Sequence, residues 1–93
     1  MIGYVTLGTS DLQKAAKFYD AIAKELGVGR MMEMERFIAW GKPGGGAGLG
    51  LTLPYDGKPA TVGNGVMVAL EAKDKAGYFR DLDGDKLNAF VMG

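Results

Sequence analysis

The sequence contains no cysteine and no histidine among its 93 residues. Without cysteine there is no disulfide, no thiolate nucleophile and no sulfur ligand for a metal. That fits a reducing compartment, and the cytoplasm is the expected location. Without histidine the chain lacks the commonest general base and the commonest metal ligand. A metal would have to be held by oxygen donors alone, which favours hard cations over zinc. There is no surplus charge either, because 11 Lys and Arg balance 11 Asp and Glu. The basic footprint of a nucleic-acid binder is therefore missing. No apolar run reaches the length of a membrane span. The opening MIGYVTLGTSD has neither the basic start nor the apolar core of a signal peptide. Neither nucleic acid nor membrane is expected as a partner.

Hydrophobic residues make up 47% of the chain and charged residues 24%, which is ordinary globular usage. The length suits one domain, residues 1–93, with only partial burial of its surface. Glycine is plentiful at 16 residues, so turns and close backbone approaches are expected to be frequent.

Along the chain, IGYVTLG (2–8) alternates as a strand, with Tyr4 and Thr6 on one face and Val5 and Leu7 on the other. SDLQKAAKFYDAIAKELG (10–27) predicts a helix. Leu12, Ala15, Ala16, Tyr19, Ile22, Ala23 and Leu26 form its apolar stripe. Ser10 and Gln13 fit a capping box, and Gly27 fits the C-terminal stop. RMMEMERFIAWG (30–41) predicts two short strands turning near Glu35–Arg36, and LGLTLPY (49–55) and VMVALEA (66–72) predict two more. Residues 77–81 and 86–92 read as a terminal hairpin around Asp83–Gly84. One helix followed mainly by strands gives an α+β fold, with the helix on a mixed or antiparallel sheet.

Several segments invite a chemical reading. GKPGGGAG places its Lys too early for a phosphate-binding loop and is followed by a strand, so a hairpin loop is expected. In the acidic segment DLDGD, counting from Asp81 puts Gly84 fourth and Met92 twelfth, which does not match a calcium-binding EF loop. A turn shaped by Asp side chains is expected instead. Met31, Met32 and Met34 can line an adaptable apolar cleft or pack in a sheet. Tyr4, Trp40 and Phe90 can stack on a ligand or fill a core. Glu33, Glu35 and Arg36 can bind a polar ligand or form an exposed turn.

Four pieces in order, YVTLGTSDL-KAA-FYD, RFIAWG, VGNGVMVAL and YFRDLDGDKLNAF, resemble the vicinal oxygen chelate superfamily. The resemblance is to its glyoxalase/bleomycin-resistance-like members in particular. It implies paired βαβββ modules whose curved sheets enclose a cleft, with residues 1–55 as the first module and 65–93 as a shortened second one. It also implies a divalent metal held by His and Glu from four strands. On this chain those positions fall on Tyr4, Gly50, Val66 and Asn88, and all four depart from the ligand pattern. No metal or other cofactor is therefore expected.

The implied function is small-molecule binding in a metal-free cleft. Tyr4, Thr6, Glu35, Arg36, Trp40, Thr52, Asn88 and Phe90 are its expected contacts. A lyase or isomerase, with Tyr4 or a Glu as base or an oxygen-only metal site involving Asp81, Asp83 or Asp85, and a ligand-free structural module are the alternatives. The second module has no room for its helix. The few residues around Lys73–Lys75, before the strand that begins at Gly77, forbid a parallel crossover and allow a hairpin. The family-like text on both sides favours a lost segment. If the chain is truly short, an uncovered apolar face is expected to seek a partner, giving a homodimer.

Overall fold

A computed structural model of the chain describes residues 1–72, 77–80 and 83–91. Strand β1 (Tyr4–Gly8) leads into helix α1 (Leu12–Leu26), followed by β2 (Gly29–Glu33), β3 (Phe37–Gly41) and β4 (Gly48–Thr52). The second half supplies β5 (Val68–Ala72), β6 (Gly77–Arg80) and β7 (Lys86–Val91). The fold is α+β, as the pattern of elements predicts. The turn expected at 73–75, Asp81 of the acidic segment and Met92 lie outside the described residues.

The helix begins one residue later than the capping box suggests. Asp11 is its N-cap, and its carboxylate accepts from the Lys14 N–H at 3.1 Å. Ser10 is drawn elsewhere, its hydroxyl oxygen accepting from the Ala60 N–H. At the other end Gly27 adopts φ 77°, the left-handed conformation its position requires, and returns its N–H to the last turn. The buried stripe is Leu12, Ala15, Ala16, Tyr19 and Ala23. Its three alanines let the helix lie close against the sheet.

The first sheet has strand order β1-β4-β3-β2 and is mixed: β1 runs parallel to β4, and the other pairs are antiparallel. Val5, Leu7, Leu49, Leu51, Ile38 and Trp40 alternate onto the helix side, where Ile38 and Leu51 are essentially buried. Tyr4, Thr6, Gly48, Gly50, Thr52, Phe37 and Ala39 occupy the opposite side by register.

The second sheet has the order β5-β7-β6. The hairpin allowed between β5 and β6 is corrected here. These strands are not neighbours, because β7 lies between them, parallel to β5 and antiparallel to β6. The physical reason is that residues 73–85, taken together, form the connection from β5 to β7. That span is long enough for a parallel crossover, which the few residues before β6 are not. The expected pairing of β6 with β7 is present, and Gly84 between them has φ 89°.

No second helix covers this sheet among the described residues. Instead Leu87, with no exposed surface, and half-buried Val68 join the same apolar cluster as the α1 stripe. The second sheet is thus joined through Leu87 and Val68 to the core beneath α1.

Candidate functional site

The side of the first sheet away from the helix carries three of the expected contacts together. Tyr4 and Thr6 are exposed there, and Thr52 lies across from Gly8 and Phe37. Tyr4 meets Phe37 edge-on, with ring centroids 6.2 Å apart. A bulge between Arg30 and Met32 changes the alternation of β2. It lets Met31 and Met32 lie on the same side, Met31 over Gly41 and Gly48 and Met32 opposite Ala39. Both methionines are about half exposed, at 50% and 46%. The result is an open apolar floor of Tyr4, Phe37, Met31 and Met32, with the Thr6 hydroxyl on it.

Phe37 was not expected from sequence, yet it decides what this face can hold. Its ring lies over Gly50, so a Cβ at that position would sit 2.7 Å from the ring and 3.4 Å from Thr6 Oγ1. The ring therefore fills the space that a Glu at position 50 would need. Val66, another position where the resemblance calls for a ligand, precedes β5, is exposed and has no donor. No group of three or more Asp or Glu that could hold a metal exists among the described residues. The residues present do not fit the divalent metal implied by the resemblance.

The other expected contacts fall elsewhere. Trp40 does not share this face, which corrects the expectation that it lines the same cleft. It is 3% exposed beneath the helix, stacked near Tyr19 at 5.7 Å. Its indole N–H donates to Asp20 Oδ1 at 2.8 Å. The reason is Asp20 itself, which projects from α1 and offers the one hydrogen bond a buried indole needs. Arg36 sits at the β2–β3 turn and donates to the Pro54 carbonyl at 2.9 Å, while Glu35 beside it is exposed. Thr52 is within hydrogen-bond reach of the Arg36 and Leu53 carbonyls. Asn88 and Phe90 stand in β7, in register with Ala69 and Glu71 of β5.

Asp20 also binds Arg30 through two hydrogen bonds, from Nε at 2.9 Å and Nη2 at 2.8 Å. Arg30 in turn lies 5.9 Å from the Trp40 ring and 3.4 Å from Glu33. The Arg30 hydrogen bonds hold the Asp20 carboxyl below the usual carboxylate range. Partial burial opposes them and the Trp40 N–H adds to them. A carboxylate with a lowered folded-state value stabilises the fold fully above about pH 3.9, its unfolded value. That contribution disappears as pH falls through the folded value. Asp20→Asn is expected to flatten the acid limb of stability against pH. Asp20→Ala is expected to cost about 1–3 kcal/mol at neutral pH, because it leaves the Trp40 donor unmatched. Urea unfolding across pH 2–7 measures both, and an acid limb unchanged in Asp20→Asn would refute the assignment.

Asp83 of the acidic segment makes a long-range structural link. Asp83 reaches back to the start of the helix, its carboxylate accepting from the buried Thr9 hydroxyl at 2.6 Å and from the Ser10 N–H at 3.1 Å. It ties the β6–β7 end of the molecule to the β1–α1 turn. These partners are 74 and 73 residues away in sequence.

No protein-family model matches the chain, and no curated protein matches it significantly. Solved structures do. A glyoxalase/bleomycin resistance protein from Albidiferax ferrireducens T118 superposes with a TM-score of 0.90 at 26% identity, covering 100% of this chain and 99% of that one. A glyoxalase-related enzyme from Fulvimarina pelagi matches with a TM-score of 0.72 at 16% identity, over 99% of this chain and 88% of that one. A glyoxalase/bleomycin resistance protein/dioxygenase superfamily member from Sphaerobacter thermophilus DSM 20745 gives 0.66 at 19%, over 99% and 97%. With its helix-backed β1-β4-β3-β2 sheet and its parallel β5–β7 pair, the chain has the glyoxalase/bleomycin-resistance fold of the vicinal oxygen chelate type.

Proposed function

We propose that this chain is a metal-free glyoxalase/bleomycin-resistance-like protein that binds a small molecule against the open face of its first sheet. The observation behind this reading is the Phe37 ring over Gly50. It turns a position suited to a metal ligand into an apolar floor, next to the exposed Tyr4 ring and the Thr6 hydroxyl. Flat apolar surface with a few hydroxyls suits a ligand held by stacking and one or two hydrogen bonds.

A second copy of the chain is proposed to supply the opposite wall, as a homodimer. Ile2, Tyr4, Met31 and Met32 on or beside this face are each more than 40% exposed, a concentration that favours cover by a partner. The cytoplasmic location expected from composition belongs to the same proposal. No helix among the described residues is long and apolar enough to cross a membrane.

A lyase or isomerase that used a Glu as its base would need that carboxylate on this face. The register positions of β1, β3 and β4 on that side carry none. Glu33 pairs with Arg30 instead.

Two measurements test the proposal. Calorimetric titration with nickel, zinc or manganese is expected to show no tight one-site binding, and such binding would defeat the metal-free reading. A thermal-shift screen of small aromatic and hydroxylated compounds is expected to find stabilisers whose effect is lost in Tyr4→Ala and kept in Lys42→Glu. Failure to find any stabiliser whose effect is lost in Tyr4→Ala would overturn binding at the sheet face.

A further inference from the structure

A cavity of about 480 Å³ lies on the other side of the first sheet, between the helix, the glycine loop 42–48 and β5. Its inner wall is apolar: Val5 and Leu49 from the sheet, Ile22 and Leu26 from the helix, and Val68 from β5 all line it. Two features make it more than a packing gap. The wall formed by β5 consists of four consecutive residues, Val68, Ala69, Leu70 and Glu71. β5 is an edge strand of its sheet, so the N–H and C=O groups on its outer side are not used by β7. They give an otherwise apolar cavity a short row of polar main-chain groups. At the mouth stands Lys42, exposed and without an ion pair among the described residues. It is held in a turn closed by the Gly45 N–H on the Lys42 carbonyl at 2.8 Å. Glu71 also borders the cavity, but Val68 and Leu70 are half-buried while Ala69 and Glu71 are exposed. Strand alternation thus carries the Glu71 carboxylate to the outer face and leaves Lys42 as the charge at the mouth.

We infer that this cavity is a second binding site, distinct from the sheet face, for an organic anion with an apolar body, such as an aromatic or branched carboxylic acid. The volume falls within the range of small-ligand sites. The apolar body lies against Leu26, Ile22 and Val68, and the acid group meets Lys42. This site does not depend on the reading of the sheet face, since the two lie on opposite sides of the same sheet.

The test uses 8-anilinonaphthalene-1-sulfonate fluorescence on the folded protein, with displacement by 2-naphthoate and by uncharged 2-naphthylmethanol. One saturable site is expected, displaced by both. Leu26→Trp, or Ile22→Trp should the first variant unfold, is expected to abolish it by filling the cavity. Lys42→Glu is expected to weaken naphthoate by about two- to fivefold, the scale of one exposed charge pair, and to leave the alcohol unchanged. Tyr4→Ala is expected to change neither. Absence of a saturable site overturns the inference, as does binding lost in Tyr4→Ala rather than in the cavity variants. Sedimentation showing that Leu26→Trp dissociates a dimer also overturns it, because the cavity would then be an interface between copies.

Discussion

Leu87→Ala is expected to lower stability by about 2–5 kcal/mol, the range for truncating a fully buried leucine. It is also expected to unfold both halves of the chain together. Leu87 belongs to β7, yet the cluster it joins is built mainly from α1 and the first sheet. Weakening this contact weakens an apolar seam that joins the two sheets. Asp83→Ala should act at the same junction by removing the two hydrogen bonds that Thr9 and Ser10 donate. Thr9 has no exposed surface, so its hydroxyl would lose a partner that water cannot easily replace. That change is expected to cost about 1–3 kcal/mol. Domains of this size are commonly stable by only about 5–15 kcal/mol, so Leu87→Ala consumes a large share of the total. Denaturant unfolding followed by Trp40 fluorescence and by far-ultraviolet circular dichroism reads both variants. Trp40 reports the first sheet and the dichroism reports all strands. Coincident, shifted transitions are expected. A Trp40 transition left in place while the dichroism loses a separate early step would mean that the halves fold independently.

The parts of the fold that local pattern controls were legible in the sequence. The helical stripe, the left-handed Gly27, the β2–β3 turn and the β6–β7 pairing all follow from spacing and turn chemistry within a few residues. What was not legible depends on distant partners. Ser10 and Asp11 are both good caps, and the choice between them is made by Ala60 and Asp83, which occupy Ser10 from far along the chain. Trp40 could have faced either side of β3. Asp20, on a different element, fixes it beneath the helix. The placement of β7 between β5 and β6 is a pairing choice that no short stretch encodes. At the candidate site, strand parity groups Tyr4 with Thr6 and Gly50 with Thr52, and the register places all four on one side of the first sheet. Phe37 was missed, although a signal for it existed. Gly50 stands inside a strand, where glycine commonly marks the close approach of another group. Reading that glycine only as a missing ligand left open what had moved into its place.

That replacement can be measured as a coupling. Gly50→Glu puts back the residue type that the resemblance implies, and it is expected to be strongly destabilising, by about 3 kcal/mol or more. The new Cβ would lie 2.7 Å from the Phe37 ring, so the ring must swing away. The carboxylate would also enter a buried position. No backbone strain contributes, because Gly50 is paired as regular strand with both β1 and β3. Phe37→Ala alone removes a partly buried ring and should cost less than the about 3–5 kcal/mol typical of a core Phe. If the ring is what excludes the Glu, the double variant must be more stable than the sum of the two singles predicts. The expected coupling is about 1–3 kcal/mol, within the range seen for residues in direct contact. Urea denaturation of the four proteins in this cycle supplies the number, and additivity within about 0.5 kcal/mol would show that the ring does not guard the site. The same double variant is expected to remain unable to hold a divalent ion tightly. Freeing the space returns one carboxylate, but exposed, donorless Val66 still offers nothing, and one carboxylate beside a tyrosine is too few oxygen donors for a hard cation.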